Sequence, residues 1–117
     1  MAAPNLLSLT TVNVDTLHFD ATTTASTVTG STVAANHARK VEAILATNVG
    51  TTLGWISVWR RTGGVDKQLA LELRVPLRTT VNVLIGASLY MIEGDTLKVQ
   101  ANASANVHVS APYADLV

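Results

Sequence analysis

Leu53-Gly54-Trp55-Ile56-Ser57-Val58-Trp59-Arg60, then Thr62-Gly63-Gly64, then Leu69-Ala70-Leu71-Glu72-Leu73-Arg74 form the stretch that decides the fold class. In the first part Ile56 and Val58 alternate with Trp55, Ser57 and Trp59. Successive side chains of a strand point to opposite faces, so a period of two marks a strand. The two glycines supply the positive-φ backbone that a tight hairpin needs. In the last part Leu69, Leu71 and Leu73 alternate with Ala70, Glu72 and Arg74, which predicts a half-buried return strand.

The same rule extends outward from Val41 to Val109. Val41 to Asn48 reads as one apolar strand, closed by the turn Asn48-Val49-Gly50. Pro76 ends or edges the leucine strand, because proline cannot donate to a ladder. Val81, Val83 and Ile85 are expected inward, with Thr80 and Asn82 outward. Ser88 to Ile92 is a short strand before the turn Glu93-Gly94-Asp95, where Gly94 takes a positive φ and Asp95 bonds turn backbone. Leu97, Val99 and Ala101 alternate with Lys98 and Gln100, and Val107 and Val109 close the series around His108. No window holds a 3.6-residue stripe. About eight short strands at roughly 8–12-residue spacing indicate an all-β chain: one antiparallel β-sandwich, jelly-roll or Ig-like, with an extended N-terminal segment.

The first third is different in texture. Leu7 and Leu9, Val12 and Val14, then Leu17 and Phe19 alternate with polar residues, which suggests two short strands. Residues 20–35 are mostly Thr, Ser, Ala and Val with Gly30 as turn signal, so they form either a hairpin (25–28 with 32–34) or an extended arm. The expected division is residues 1–35 as strands or an arm, and residues 36–117 as the sandwich core. A small-residue segment has little core-forming power of its own. Exchanged between subunits, it would add a strand to a neighbour's sheet.

Composition narrows the function classes. The 117 residues suit one domain, and only 14% are charged against 48% hydrophobic, where an average domain carries about 25% charged. Thr, Ser and Asn, or another subunit, must cover the remaining surface. A formal net charge of +0 argues against non-specific binding to nucleic acid or an anionic membrane. With no cysteine, disulfides, thiolate zinc sites and thiol catalysis are excluded. The N-terminus lacks the pattern of a secretory signal, and no apolar run approaches the roughly 20 residues of a membrane span, so a cytosolically made, unprocessed chain is expected.

Catalytic groupings are missing from the pattern. His18, His37 and His108 lack the spacing of a metal site, although a trimer axis could bring three copies of one histidine together. Glu93 and Asp95 read as turn residues and not as an acid–base dyad. Neither a Gly-x-Ser-x-Gly elbow nor a phosphate-binding glycine loop occurs. The expectation is a protein that is not an enzyme and needs no cofactor or metal.

Candidate contact residues are of two kinds. Arg39-Lys40 and Arg60-Arg61 are basic pairs placed next to loops, close together if their strands were hairpin partners. Each suits an acidic neighbour, or is simply solvated loop charge. Trp55 and Trp59 share one strand face opposite Ile56 and Val58. Either both faces of that strand are buried, or the tryptophan face is an oligomer or partner surface, since Trp is enriched at interface hot spots.

Residues 41–113 resemble a family of small β-sandwich virion proteins of tailed bacteriophages. The matching features are Ile44-Leu45-Ala46-Thr47-Asn48, Val58-Trp59-Arg60-Arg61-Thr62-Gly63-Gly64, the Val75-Pro76 corner, and Leu89 to Ile92. The resemblance continues through Glu93-Gly94-Asp95-Thr96-Leu97-Lys98-Val99-Gln100-Ala101 to Val107-His108-Val109-Ser110. It implies a homo-oligomer, trimer or hexamer, that contacts other virion proteins in capsid decoration, neck, tail or baseplate. Nucleic acid and membrane are not expected partners. A carbohydrate- or receptor-binding module of a tail fibre is the alternative role, with Trp55 and Trp59 as an aromatic platform.

Overall fold

A computed structural model describes residues 12–103 and 106–116. They form ten strands and no helix: β1 (Val12–Asp20), β2 (Ser26–Thr27), β3 (Ala38–Val41), β4 (Leu45–Asn48), β5 (Gly54–Thr62), β6 (Val65–Val75), β7 (Thr80–Asn82), β8 (Leu89–Ile92), β9 (Thr96–Ala101) and β10 (Val107–Leu116). The chain is all-β, with two antiparallel sheets. One runs β7-β4-β10-β3-β8 with β1 on the other flank of β10; the second runs β2-β9-β5-β6.

The long strand β10 explains the first sheet. One flank pairs with β1 along its whole length, Val12 with Leu116 through Asp20 with His108. The other flank pairs first with β4 and then with β3. Val41 to Asn48, read as a single strand, is therefore two strands laid end to end. The break falls beside Pro112, which has no N–H to give, and Glu42 N instead donates to the Pro112 carbonyl at 2.9 Å.

With the split strands merged, eight strand positions remain in two sheets of four. Their pairs nest about Gly63-Gly64: Gly54 with Val75, Leu45 with Asn82, Ala38 with Ile92, Ser26 with Val99, and Val12 with Leu116. The chain is one long antiparallel hairpin rolled on itself, the jelly-roll order. Gly63 (φ 57°) and Gly64 (φ 78°) are both left-handed at its tip. Two such residues make a hairpin turn whose twist matches the strands it joins.

The core lies between the sheets. Val41, Met91 and Val107 from one sheet, with Ile44 from the link between β3 and β4, meet Ile56, Val58, Val75, Leu97 and Val99 from the other, all buried at 2% exposure or less. The strict alternation on β9, with Leu97, Val99 and Ala101 buried and Lys98 and Gln100 half-exposed, is as expected from period two. Residues 12–35 share this core. Leu17, Ala21, Val28 and Val33 are buried, and Val28 N and Val33 N donate to the carbonyls of Leu97 and Asp95. The hairpin weighed for residues 25–34 is replaced by the two-residue strand β2 and a loop.

Two inward assignments are corrected. Leu71 is 71% exposed, not inward. The pairs Ile56–Leu73, Val58–Ala70 and Trp59–Gln68 show β6 carrying one extra residue twice against β5. Each bulge reverses the facing of the residues beyond it. Ile85 is 86% exposed, with φ 52°. The Asn82 side chain accepts from Leu84 N at 3.0 Å, an Asx turn that ends β7 before Ile85. Leu71→Lys should therefore change stability by no more than about 0.5 kcal/mol, whereas Leu73→Lys, packed on the core, should cost about 2 kcal/mol. Urea unfolding of the two variants checks the register.

Candidate interaction surfaces

Strand alternation divides each basic pair between the two faces. Arg39 and Lys40 lie on β3 rather than in a loop, and Arg39 is turned inward at 5% exposure. Its guanidinium donates to both Asp115 oxygens, Nε at 2.7 Å and Nη2 at 3.0 Å. Nη1 donates to the carbonyls of Gly30 (3.0 Å) and Ser31 (3.4 Å), and the group stacks 3.9 Å from the Tyr113 ring centre. Lys40 points outward and meets Glu42 at 3.4 Å.

Arg60 and Arg61 on β5 repeat the division. Arg60 donates to Asp95 Oδ2 through Nε (3.0 Å) and Nη2 (2.6 Å), and that same oxygen accepts from Ile92 N. Asp95 is fully buried beside Gly94, whose φ is 84°. Arg61 faces out, within 2.9 Å of Asp66, which also receives Lys98 Nζ at 2.9 Å. The hydrogen bond from Lys98, with that from Arg61, holds the Asp66 carboxyl below its ordinary value. β3 and β5 belong to different sheets, so the two pairs are not hairpin neighbours. Of the four basic candidates, Arg39 and Arg60 act as internal clasps; Lys40 and Arg61 remain on the surface.

Trp55 and Trp59 are half-buried on the outer face of the four-stranded sheet, while Ile56 and Val58 point into the core. Ser57 between them is 2% exposed, and its hydroxyl accepts from Glu72 N at 2.9 Å. Glu72 sits at the β6 bulge with φ 47°. A shallow hollow of about 340 Å3 opens there, lined by Leu53, Gly54, Trp55, Glu72 and Arg74. With Arg61, Asp66 and Lys98 nearby on β5, β6 and β9, this face is aromatic and charged.

The outer face of the six-stranded sheet has the opposite character. Pairing registers place Val12, Leu116, Ala38 and Ile92 side by side across β1, β10, β3 and β8. The adjacent row is Val14, Ala114, Lys40 and Tyr90. Val12 is 57% exposed, Val14 77%, Tyr90 56% and Ile92 41%. Sequence reasoning missed this patch. The signal was present in β1, where Val12 and Val14 sit at even positions but Leu17 and Phe19 at odd ones, so the two sets face opposite ways.

The histidines make short polar contacts. His18 Nδ1 lies 3.2 Å from Ser110 Oγ, His37 Nδ1 lies 2.8 Å from the Ala35 carbonyl, and His108 Nε2 lies 3.6 Å from Asp20. Among the described residues no three His, Cys, Asp or Glu side chains are grouped to hold a metal ion.

No family model matches the chain, and no curated protein matches it. Among solved structures it is similar to a protein of Bacillus endospore appendages, described as disulfide-linked pili. The TM-score is 0.54 at 15% identity, over 99% of this chain and 95% of that one. A pentameric capsid protein isolated from metagenomic phage sequences gives a TM-score of 0.39 at 22% identity, over 84% of this chain and 59% of that one. The first likeness bears on fold and not on role.

Proposed function

We propose that this chain is a non-enzymatic structural subunit that associates with copies of itself, and that its assembly is the virion of a tailed bacteriophage. The observation that carries the self-associating role is the pair of apolar rows on the outer face of the six-stranded sheet, with four large apolar side chains between 41% and 77% exposed. Contiguous apolar patches of more than a few hundred Å2 are uncommon on monomeric domains and mark contact sites. The rest of the chemistry agrees. Its two most buried carboxylate–arginine pairs hold the jelly roll closed, which suits a rigid subunit.

The virion placement rests on the resemblance of residues 41–113 to small phage β-sandwich proteins, and on the use of jelly rolls in viral capsid domains. Capsid, neck, tail and baseplate all fit that placement. The chain contains no cysteine, so disulfides do not join its copies, unlike the disulfide-linked appendage.

A tail-fibre module that binds carbohydrate is the second reading, and the hollow beside Trp55, with Glu72 and Arg74 at its rim, is what favours it. Sedimentation and tryptophan fluorescence separate the two. The structural role expects oligomers that persist in reductant, with fluorescence indifferent to oligosaccharides. A chain monomeric at every concentration, with fluorescence that titrates with a glycan, would overturn it in favour of the binding module.

A further inference from the structure

We infer that the outer face of the six-stranded sheet docks against the same face of a second copy, with Tyr90 of each copy entering a hollow beside Val14, Pro112 and Ala114 of the other. This docking mode rests on the self-associating role proposed above and gives it a surface.

The face carries both a knob and a socket. Tyr90, on β8 at one end of its row, is 56% exposed. At the other end a hollow of about 280 Å3 lies between β1 and β10, lined by Val14, Asp15, Thr16, Glu42, Pro112, Tyr113 and Ala114. Val14, Pro112 and Ala114 give it an apolar floor, and the Glu42 carboxylate is an acceptor within the wall. A tyrosine suits such a site, having an apolar ring and a hydroxyl that needs a partner once buried. Knob and socket are separated by β3 and β10, roughly 12 Å at the ordinary strand spacing. A two-fold axis between them exchanges the ends of the row, so each copy gives its Tyr90 and receives the other's. Contacts of this reciprocal kind close into a dimer.

Charge selects the occupant. Of the eight side chains in the two rows only Lys40 is charged, and its own Glu42 lies 3.4 Å away. Those two rows therefore offer no unpaired charge to an acidic or a basic partner. The other outer face, on β5, β6 and β9, carries Arg61, Asp66, Glu72, Arg74 and Lys98. Covering those charges with valine and isoleucine would strip their water without replacement. Apolar face against apolar face avoids this cost, and a formal net charge of +0 leaves no net long-range repulsion between copies.

Sedimentation equilibrium on the full chain tests the mode, with thermal unfolding as the check on folding. Tyr90→Ala and Val14→Lys should each weaken self-association at least about tenfold. The double variant should be little worse than either single one, because both break the same contact. Arg74→Glu, on the charged face, should associate like the unaltered chain. If folded Tyr90→Ala and Val14→Lys proteins associate as tightly as the unaltered chain, the docking mode is wrong while the self-associating role stands. If the unaltered chain is monomeric at every concentration, the role itself fails and the docking mode with it.

Discussion

Replacing Arg39 by methionine is expected to destabilise the fold by about 3 kcal/mol, while Lys40→Met one residue away should change it by less than about 0.5 kcal/mol. The difference comes from the face on which each side chain lies. The side chain of Arg39 is 6% exposed and that of Asp115 16%. Removing the guanidinium leaves the carboxylate largely buried with its two donors gone, and leaves the Gly30 and Ser31 carbonyls without the Nη1 donor. Breaking a buried pair from one side costs about 3–5 kcal/mol, and the residual exposure of Asp115 favours the lower end. Arg39→Lys keeps the charge but not the fork that meets two oxygens at once, so about 1–2 kcal/mol should still be lost. The double variant Arg39→Met with Asp115→Leu should recover most of the loss, since no charge is then left buried. Denaturant unfolding of the four proteins decides it. Equal losses from Arg39→Met and Lys40→Met would contradict the division of the pair between core and surface.

That division shows which parts of the molecule are legible in the chain and which are not. Alternation identifies the strand class and the buried side of β9 and β10, because period two is a local property of the backbone. It also puts Trp55 and Trp59 on one face, and the regular β5–β9 register preserves that spacing. What alternation lacks is phase against a distant partner. Arg39-Lys40 looks like a loop pair because Asp115, the partner of Arg39, lies 76 residues away along the chain. Arg60 is likewise paired with a carboxylate that the sequence assigns only to its own turn; Asp95 does bond that turn, at Ile92 N, and closes the sandwich as well.

The failures in β6 and β7 have a different origin. Leu71 follows the inward pattern of Leu69 and Leu73 in sequence, yet a bulge turns it out. Bulges count residues on one strand against those on its partner, so a single strand's pattern does not contain them. Ile85 is carried outward by the side chain of Asn82, which competes with the ladder for nearby N–H groups. Alternation alone treats Asn82 only as an outward-facing strand residue. At the apolar face the loss is of another kind: the change of phase between Val14 and Leu17 is in plain view. Its meaning depends on Ala114, Leu116, Tyr90 and Ile92 arriving beside it from the far end of the chain.

A chain beginning at residue 36 is expected to lose cooperative folding altogether, the largest effect foreseen for this protein. Division at residue 35 treats the first third as an arm that the sandwich could shed. The packing makes residues 12–35 part of the sandwich instead. β1 lines one flank of β10 from His108 to Leu116, so its removal leaves that stretch of backbone on a new edge, open to aggregation. Leu17, Val28 and Val33, each at most 8% exposed, leave the core with Ala21. Burial of a leucine or valine contributes about 1.5–3 kcal/mol, so three of them approach the whole stability of a small domain, about 5–15 kcal/mol. Arg39 would also lose the Gly30 and Ser31 carbonyls. Circular dichroism of residues 36–117 should show no sigmoidal unfolding, and adding residues 12–35 as a separate peptide should restore it. Rescue by the peptide distinguishes loss of specific strand pairing from mere truncation damage, and it is also the chemistry by which a neighbouring copy could supply the same segment. A cooperative transition in the shortened chain alone would return residues 12–35 to the status of an arm.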